Sequence, residues 1–468
     1  MGAAMSQTFP TPSPAEWRAL AEKALKDRPL ESLVHLDSDR LTVRPLYAAA
    51  TGVEPLFAPR ASDADGRAWD LRTLVEADDA GEANAAVLAD LGGGAASVVL
   101  GGAVARDAGG LARALDGVAL ELATVGLDAG FAGPEAAEAL ATAARGAPRA
   151  RLMFHMDPLS AFAETGAAPR AMEEHLAQAA ATAARHAATY PAASFFLASG
   201  RVAHEAGGSI AQELAFAAAN AVALVRAAVD AGMTADQALK GTVLGLAVDQ
   251  EYFDGLAKVR ALRLMWRSIC AAFGVETPAV IEARSSRRML SARDPWPNLL
   301  RLTAAGFAGA VGGADAVVLD GFTRAQGRPD AFARRQARNA QLVLMEEANL
   351  GRVDDPAAGS WFLDQRTREL AEAGWAEFQA IEAEGGIVEA LRGHVIQPRI
   401  ARARQSLEAA LSGGSVQMVG VTKFVDPEPR PAAAEPAPAA PMEGGGDACA
   451  PLTPIRLAAP FEAEGAAR

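Results

Sequence analysis

What most constrains this chain is a recurrence. From about residue 95 onward, short runs rich in valine, leucine, isoleucine and phenylalanine return every ~25–45 residues, and the stretches between them are rich in Ala, Leu, Arg and Glu. The runs are ASVVLGG (96–102), VALELATV (118–125), ARLMFHMD (150–157), SFFLASG (194–200), TVLGLAVD (242–249), AVIEARSS (279–286) and DAVVLDGF (315–322), with a weaker eighth near Arg352 to Asp355. They are near-continuously apolar rather than alternating, as strands covered on both faces must be. The intervening stretches suit crossover helices. The fold class is therefore α/β, a parallel (β/α)8 barrel of the TIM type; an open doubly wound sheet has the same local pattern, because closure is not written in periodicity.

A chain of 468 residues exceeds the roughly 250–300 residues that one core sustains, so extensions are expected around the barrel. Residues 1–70 read as an arm: Trp17, Leu20 and Leu25 follow a helical period after a Ser/Pro start, and RPLY at Arg44–Tyr47 turns into extended chain. The barrel is assigned to 71–400 and a further helical segment to 401–425. From 426 to 468 periodicity disappears into Pro, Ala and Gly, the composition of a linker or disordered tail.

Composition removes several function classes. A formal charge of −13 disfavours sequence-independent nucleic-acid binding, which needs a basic stripe to displace counterions. Cys270 and Cys449 are too few for a disulfide framework or a CxxC metal site. No apolar run reaches the ~18 residues of a membrane span, and MGAAMSQTFPTPSP has neither a secretory nor a transit pattern. A cytoplasmic protein that binds neither nucleic acid nor membrane is the expectation.

The chemistry-bearing motifs are sparse. Gly92–Gly94 and Gly312–Gly313 precede predicted strands, whereas a phosphate loop follows a strand and opens a helix, so they read as tight turns. No GxGxxG with a downstream acid, GxxxxGK[ST] or HExxH occurs. The six histidines, 35, 155, 175, 186, 204 and 394, are scattered, without the spacing of a shared metal site. His155 falls near the end of a predicted strand and His204 just after another, where barrels build their active sites. His204 precedes Glu205; the pair could do acid/base work, but without a convergent third group a loop histidine beside a helix-capping glutamate is the weightier reading. Arg287, Arg288 and Arg293 follow AVIEARSS, either to hold the phosphates of a CoA-like ligand or to form an ion-paired rim.

Five blocks in order resemble methylmalonyl-CoA mutases: W-x-x-L-x-x-K-A-L with RPLY, then AWDLRTLVEADDAGEAN, SGRVAHEAGGSIAQELAFAAAN, RDPWPNLLR with GGADAV, and ARNAQLVLMEE with DDPAAGSWF. Within that family the chain is similar to the small (beta) subunits of heterodimeric enzymes. The resemblance implies a partner, the large catalytic subunit, and an adenosylcobalamin cofactor that generates the radical for interconverting methylmalonyl-CoA and succinyl-CoA.

It also implies which residues are missing. The family's Ile-Arg-Gln-Tyr motif matches Leu71, Arg72, Thr73 and Leu74, which keeps the arginine and loses the tyrosine that lies over the acyl group. Its Ser-Gly-Tyr-His motif matches Ser199, Gly200, Arg201 and Val202, so the thioester-binding histidine is a valine; His204 lies two places beyond it. The Arg-x-Ser that contacts CoA corresponds to Gly241, Thr242 and Val243, the Thr-Ile-Gln stretch to Met153, Phe154 and His155, and the carboxylate-binding arginine falls near Thr165. The His-x-Gln-Thr-Ser-Gly loop is shortened to Ser285–Arg288.

No Asp-x-His, the family's cobalt-binding motif, occurs anywhere, and nothing of domain size follows the linker. The resemblance therefore implies no catalytic residue, metal site or cobalamin domain on this chain, with the cofactor on the large subunit. Arg72, His155, His204, Arg287 and Arg288 remain as candidate substrate contacts. The alternative is a substrate-binding barrel whose cobalamin domain is a separate chain, and a third reading is a free-standing CoA-binding protein.

Overall fold

A computed structural model describes residues 12–48, 54–60, 66–436 and 445–464. Eight parallel strands close into a barrel: β1 (Asp70–Glu76), β2 (Ser97–Gly101), β3 (Thr124–Asp128), β4 (Leu152–Met156), β5 (Ser194–Ser199), β6 (Thr242–Val248), β7 (Ile281–Ser285) and β8 (Ala316–Val318). Closure is made by β8, whose Val317 is in register with Leu71 of β1 on one side and Ala283 of β7 on the other. The open-sheet alternative is thereby excluded.

Two strand boundaries differ from expectation. Residues Arg352–Asp355 form turns, and the eighth strand is instead the first in sequence, β1, which lies inside the DLRTLVE block. Its period is hidden because Asp70 and Arg72 point inward to partners rather than to water. The run at 118–125 contributes only its last residues; β3 begins at Thr124.

Short polar caps fix the crossover helices at their starts. Asp79 receives the backbone N–H groups of Gly81 and Glu82, Asp157 that of Ser160, and Ser209 with Gln212 forms a reciprocal box at the head of helix Ile210–Asp230. Gly94 and Gly313, at φ 105° and 84°, make the tight turns into β2 and β8. The main core lies between strands and helices, where Phe154, Phe162, Phe196, Phe216, Trp266 and Phe322 are fully enclosed. Each such side chain contributes ~1.5–3 kcal/mol by leaving water. Gly200 shows how tight this layer is: a Cβ there would lie 2.1 Å from the carbonyl oxygen of Glu213.

Helix Ile210–Asp230 corrects the expectation about apolar runs, because by length and composition it could cross a membrane. Its most apolar window is 72% buried in this protein, packed on helices Trp361–Ala383 and Met172–Ala187.

The arm divides into two parts. Helix Pro14–Leu25 has no buried residue, and Leu20 is 67% exposed. The following chain is tied to the barrel by charge: Asp37 pairs with Arg366, Asp39 accepts from the Ala211 N–H, and Leu56 and Ala58 donate to Asp364 and Asp355. The DDPAAGSWF loop supplies Asp355 to this clamp, and the helix that follows it, Trp361–Ala383, supplies Asp364 and Arg366. Arg260 is enclosed between Asp355 at 3.0 Å and Asp364 at 2.9 Å while donating to the Leu56 carbonyl at 2.6 Å.

Of the segment 426–468 that composition reads as a linker or disordered tail, residues 437–444 and 465–468 lie outside the described residues, and the described parts hold specific contacts. Ala434–Glu435 pairs antiparallel with Arg328–Pro329, and residues 445–464 lie on the loops at the carboxyl end of the barrel. Proline and glycine there suit an extended segment whose hydrogen bonds go to loops rather than to a regular ladder.

Candidate functional site

Active sites of this fold form at the carboxyl ends of the strands, from side chains that point into the barrel and from the loops that follow. Here the inward positions carry a buried chain of charges. Arg72 of β1 contacts Asp70 at 2.6 Å and Glu282 at 2.5 Å; Arg284 of β7 contacts Glu282 at 2.6 Å and Asp128 of β3 at 2.8 Å. Ser97 of β2 donates to Asp70 at 2.7 Å. Burial alone would raise the Glu282 carboxyl, but Arg284 and Arg72 outweigh it and hold the group well below the usual carboxylate range. Each arginine lies between two acids, and Glu282 is shared by both.

His155 sits among these charges near the end of β4, at φ 47° and 4% exposed, where the pairing of β4 with β5 shifts register between Met153 and Met156. Neither ring nitrogen has a hydrogen-bond partner among the described residues. Burial drives its pKa down to about 3, with Arg72 and Arg284 adding to the effect against Glu282 and Asp128. At neutral pH it is an uncharged imidazole.

His204, on the short helix Arg201–Glu205, joins a second buried group. Its Nδ1 lies 3.3 Å from Glu213 and its Nε2 2.8 Å from the Ser286 hydroxyl. Nδ1–H directed at the carboxylate leaves Nε2 to accept from Ser286, a tautomer set by the network. Lys258 reaches Glu213 at 2.7 Å, and the Ala247 N–H takes its other oxygen at 2.5 Å. Burial raises Glu213, but Lys258 and His204 overcome that and hold its pKa far below the normal range. Burial lowers His204, and Arg288 adds to the lowering.

Ser286, His204 and Glu213 thus have the spacing of nucleophile, base and orienting acid. The arrangement is sealed from solvent. Ser286 and Glu213 are 0% exposed, and the two backbone N–H groups beside Ser286, of Arg287 and Arg288, are filled by the Glu205 carboxylate at 3.1 and 3.0 Å. Of the two readings of His204 and Glu205, the paired one is not formed: Glu213 pairs the histidine, and Glu205 caps the loop after β7.

The two arginines of that loop are rim ion pairs. Arg288 contacts Asp249 at 3.4 Å and donates to the carbonyls of His204 and Gly208, both at 3.1 Å; Arg287 contacts Asp320 at 3.2 Å. Arg324 closes the circuit between Glu76 and Asp320. Asp128, 49% exposed, is the outer end of the interior charge chain, and Arg201 interacts with it electrostatically. Leu74 borders a small cleft between the ends of β1 and β8, lined also by Glu76, Asp320 and Arg328. Val202 is buried on its short helix.

The structure therefore gathers Arg72 and His155 in one interior group and His204 and Arg288 in another, with Arg287 at the rim. Sequence reasoning missed Glu282, Arg284, Glu213, Lys258 and Ser286. A signal for the first two was present: in AVIEARSS, Glu282 and Arg284 are two apart in a strand, so both face the same way, and both lie in an otherwise apolar run. Glu213 and Lys258 belong to different helices, and only the fold brings them together.

Compared with known proteins, residues 99–442 match the family model described as methylmalonyl-CoA mutase. The protein named methylmalonyl-CoA mutase small subunit from Streptomyces virginiae is 37% identical over 473 residues, covering 95% of this chain and 75% of that protein. A probable methylmalonyl-CoA mutase small subunit from Mycobacterium tuberculosis (strain ATCC 25618 / H37Rv) is 45% identical over 194 residues, which is 40% of this chain and 32% of that one. The small subunit from Propionibacterium freudenreichii subsp. shermanii is 36% identical over 246 residues, 52% of this chain and 39% of that one.

Proposed function

The chain belongs to the methylmalonyl-CoA mutase family, and from that premise we propose that it is the noncatalytic small subunit of an adenosylcobalamin-dependent methylmalonyl-CoA mutase. The holoenzyme isomerises methylmalonyl-CoA to succinyl-CoA, and this barrel supports a large subunit that carries the catalytic residues and the cofactor.

The observation that carries the reading is the state of the barrel mouth. The positions matched to the family's tyrosine and histidine are Leu74 and Val202, neither of which can donate a hydrogen bond to a thioester. Around them, Arg72 pairs with Glu282, Arg284 with Asp128, Arg288 with Asp249 and Glu213 with Lys258, so these charges already have partners within the chain. Interactions that strengthen only in the transition state are what raise a rate, and losing one well-placed donor already removes ~2.7–4 kcal/mol.

His155 and His204 are enclosed in the barrel, so neither is placed to reach a cobalt ion at its surface, which supports placing the cofactor on the large subunit.

Co-expression with a mutase large subunit tests the proposal. A tagged copy of this chain should retain the large subunit through purification, the pair should turn over methylmalonyl-CoA with added adenosylcobalamin, and this chain alone should bind no cobalamin. Rearrangement by the isolated chain with added coenzyme, or a large subunit fully stable and active without it, would overturn the assignment.

A further inference from the structure

We propose that residues 445–464 form a strap that fixes the loops after β4, β5 and β7, so that this side of the barrel mouth is ordered by the chain's own C-terminal segment and not by a ligand. The strap meets the barrel at successive stations. At the first, Gly446 and Cys449 donate backbone N–H groups to Ala168 and Gly166 at 2.9 and 2.8 Å, and Ala168 donates back to Asp447 at 2.9 Å. The Asp447 carboxylate accepts from the Met172 N–H at 2.7 Å and pairs with Arg392. Leu452 then donates to Ala163 at 2.7 Å, on the helix that follows β4.

The second station is the loop after β5, where Ile455 donates to the Glu205 carbonyl at 2.8 Å; the third is the loop after β7, where Leu457 donates to the Arg288 carbonyl at 3.0 Å. Glu462 completes the third by accepting from the Ala292 N–H at 2.6 Å while paired with Arg456 at 2.9 Å. Leu457 and Ala458 are buried in a small core with Leu411 and Met418, outside the main one.

An independent observation shows that loops and strap are fitted to each other. A Cβ on Gly166 would lie 2.9 Å from the Cys449 carbonyl oxygen, and one on Gly446 would lie 2.4 Å from the Arg170 carbonyl carbon. Gly207, in the loop after β5, would press its Cβ to 3.1 Å from Ile455. Glycine therefore stands on both sides of the seam where a side chain would push it apart.

These loops contain Thr165, Val202 and Ser285–Arg288, the segments matched above to substrate-handling parts of the family motif. The strap grips Glu205 and Arg288, the two residues that close over Ser286. Both consequences rest on the chain's own contacts and stand whether or not the chain is a mutase subunit.

Amide hydrogen exchange on the full chain tests the proposal. The N–H groups of Cys449, Leu452, Ile455 and Leu457 should be protected. In a variant lacking 445–468, peptides covering 160–172, 203–209 and 286–293 should exchange at least about tenfold faster, while the opposite rim at 102–108 and 129–134 is unchanged. Leu457→Asp, which keeps the chain intact, should free the loop after β7 without affecting the start of the strap. Strap amides that exchange like free peptide in the intact chain, or no difference between the two rims in Leu457→Asp, would refute it.

Discussion

Acidifying the protein from about pH 7.5 to about pH 5 should remove ~2 kcal/mol of stability through His155 alone. Burial among Arg72, Arg284, Glu282 and Asp128 lowers its pKa from 6.5 in the unfolded reference to about 3 in the fold. The folded value lies below the unfolded one, so the unfolded chain takes up the extra proton and stability is lost as pH falls through that window. At about pH 5 the linkage amounts to RT ln[(1 + 10^1.5)/(1 + 10^−2)], close to ~2 kcal/mol, and above about pH 7.5 it vanishes.

The assay is urea unfolding of the native sequence and of His155→Asn across that range. Asparagine tolerates the left-handed backbone at φ 47° and does not titrate. His175 and His204 also have lowered pKa values but occur in both proteins, so their share cancels in the difference. The gap between the two proteins should shift by ~2 kcal/mol in favour of the variant on acidification. A pH-independent gap, or a His155 ring resonance titrating near 6.5 by NMR, would refute the claim that this imidazole is desolvated.

Three further outcomes are expected. Glu282→Gln removes the carboxylate shared by Arg72 and Arg284 and should cost ~3–5 kcal/mol; with ~0.7 kcal/mol/K of unfolding entropy for a barrel of this size, calorimetry should show Tm falling by about 4–7 °C. Arg260→Met leaves Asp355 and Asp364 enclosed without their cation, so the Leu56 and Ala58 amides should lose exchange protection before the barrel itself opens. A fluorophosphonate probe should leave Ser286 unlabelled in the folded chain, because its hydroxyl is fully enclosed and its neighbouring N–H pair is filled by Glu205; labelling that His204→Ala abolishes would show that the site opens.

The barrel itself was legible in the sequence because a strand covered on both faces needs an unbroken apolar run, and six such runs are strands at the positions expected. The failures have a common physical cause. β1 escaped because Asp70 and Arg72 break its apolar pattern, and their partners, Ser97 and Glu282, lie 27 and 210 residues from Asp70 and Arg72. The segment at 445–464 escaped because its contacts are backbone hydrogen bonds to distant loops, which leave no periodicity.

The site divides in the same way. Residue identity alone limits what Leu74 and Val202 can offer a ligand, since a hydrocarbon side chain has no proton to give wherever it is placed. Tertiary structure decided the fate of the polar groups. His204 could pair with its neighbour Glu205 or with Glu213, and helix packing chose Glu213; Arg288 could face a phosphate or a carboxylate, and the fold supplied Asp249. A charge in a sequence carries no record of which opposite charge the closed barrel will bring within 4 Å of it, and at that distance, away from water, the nearest partner prevails.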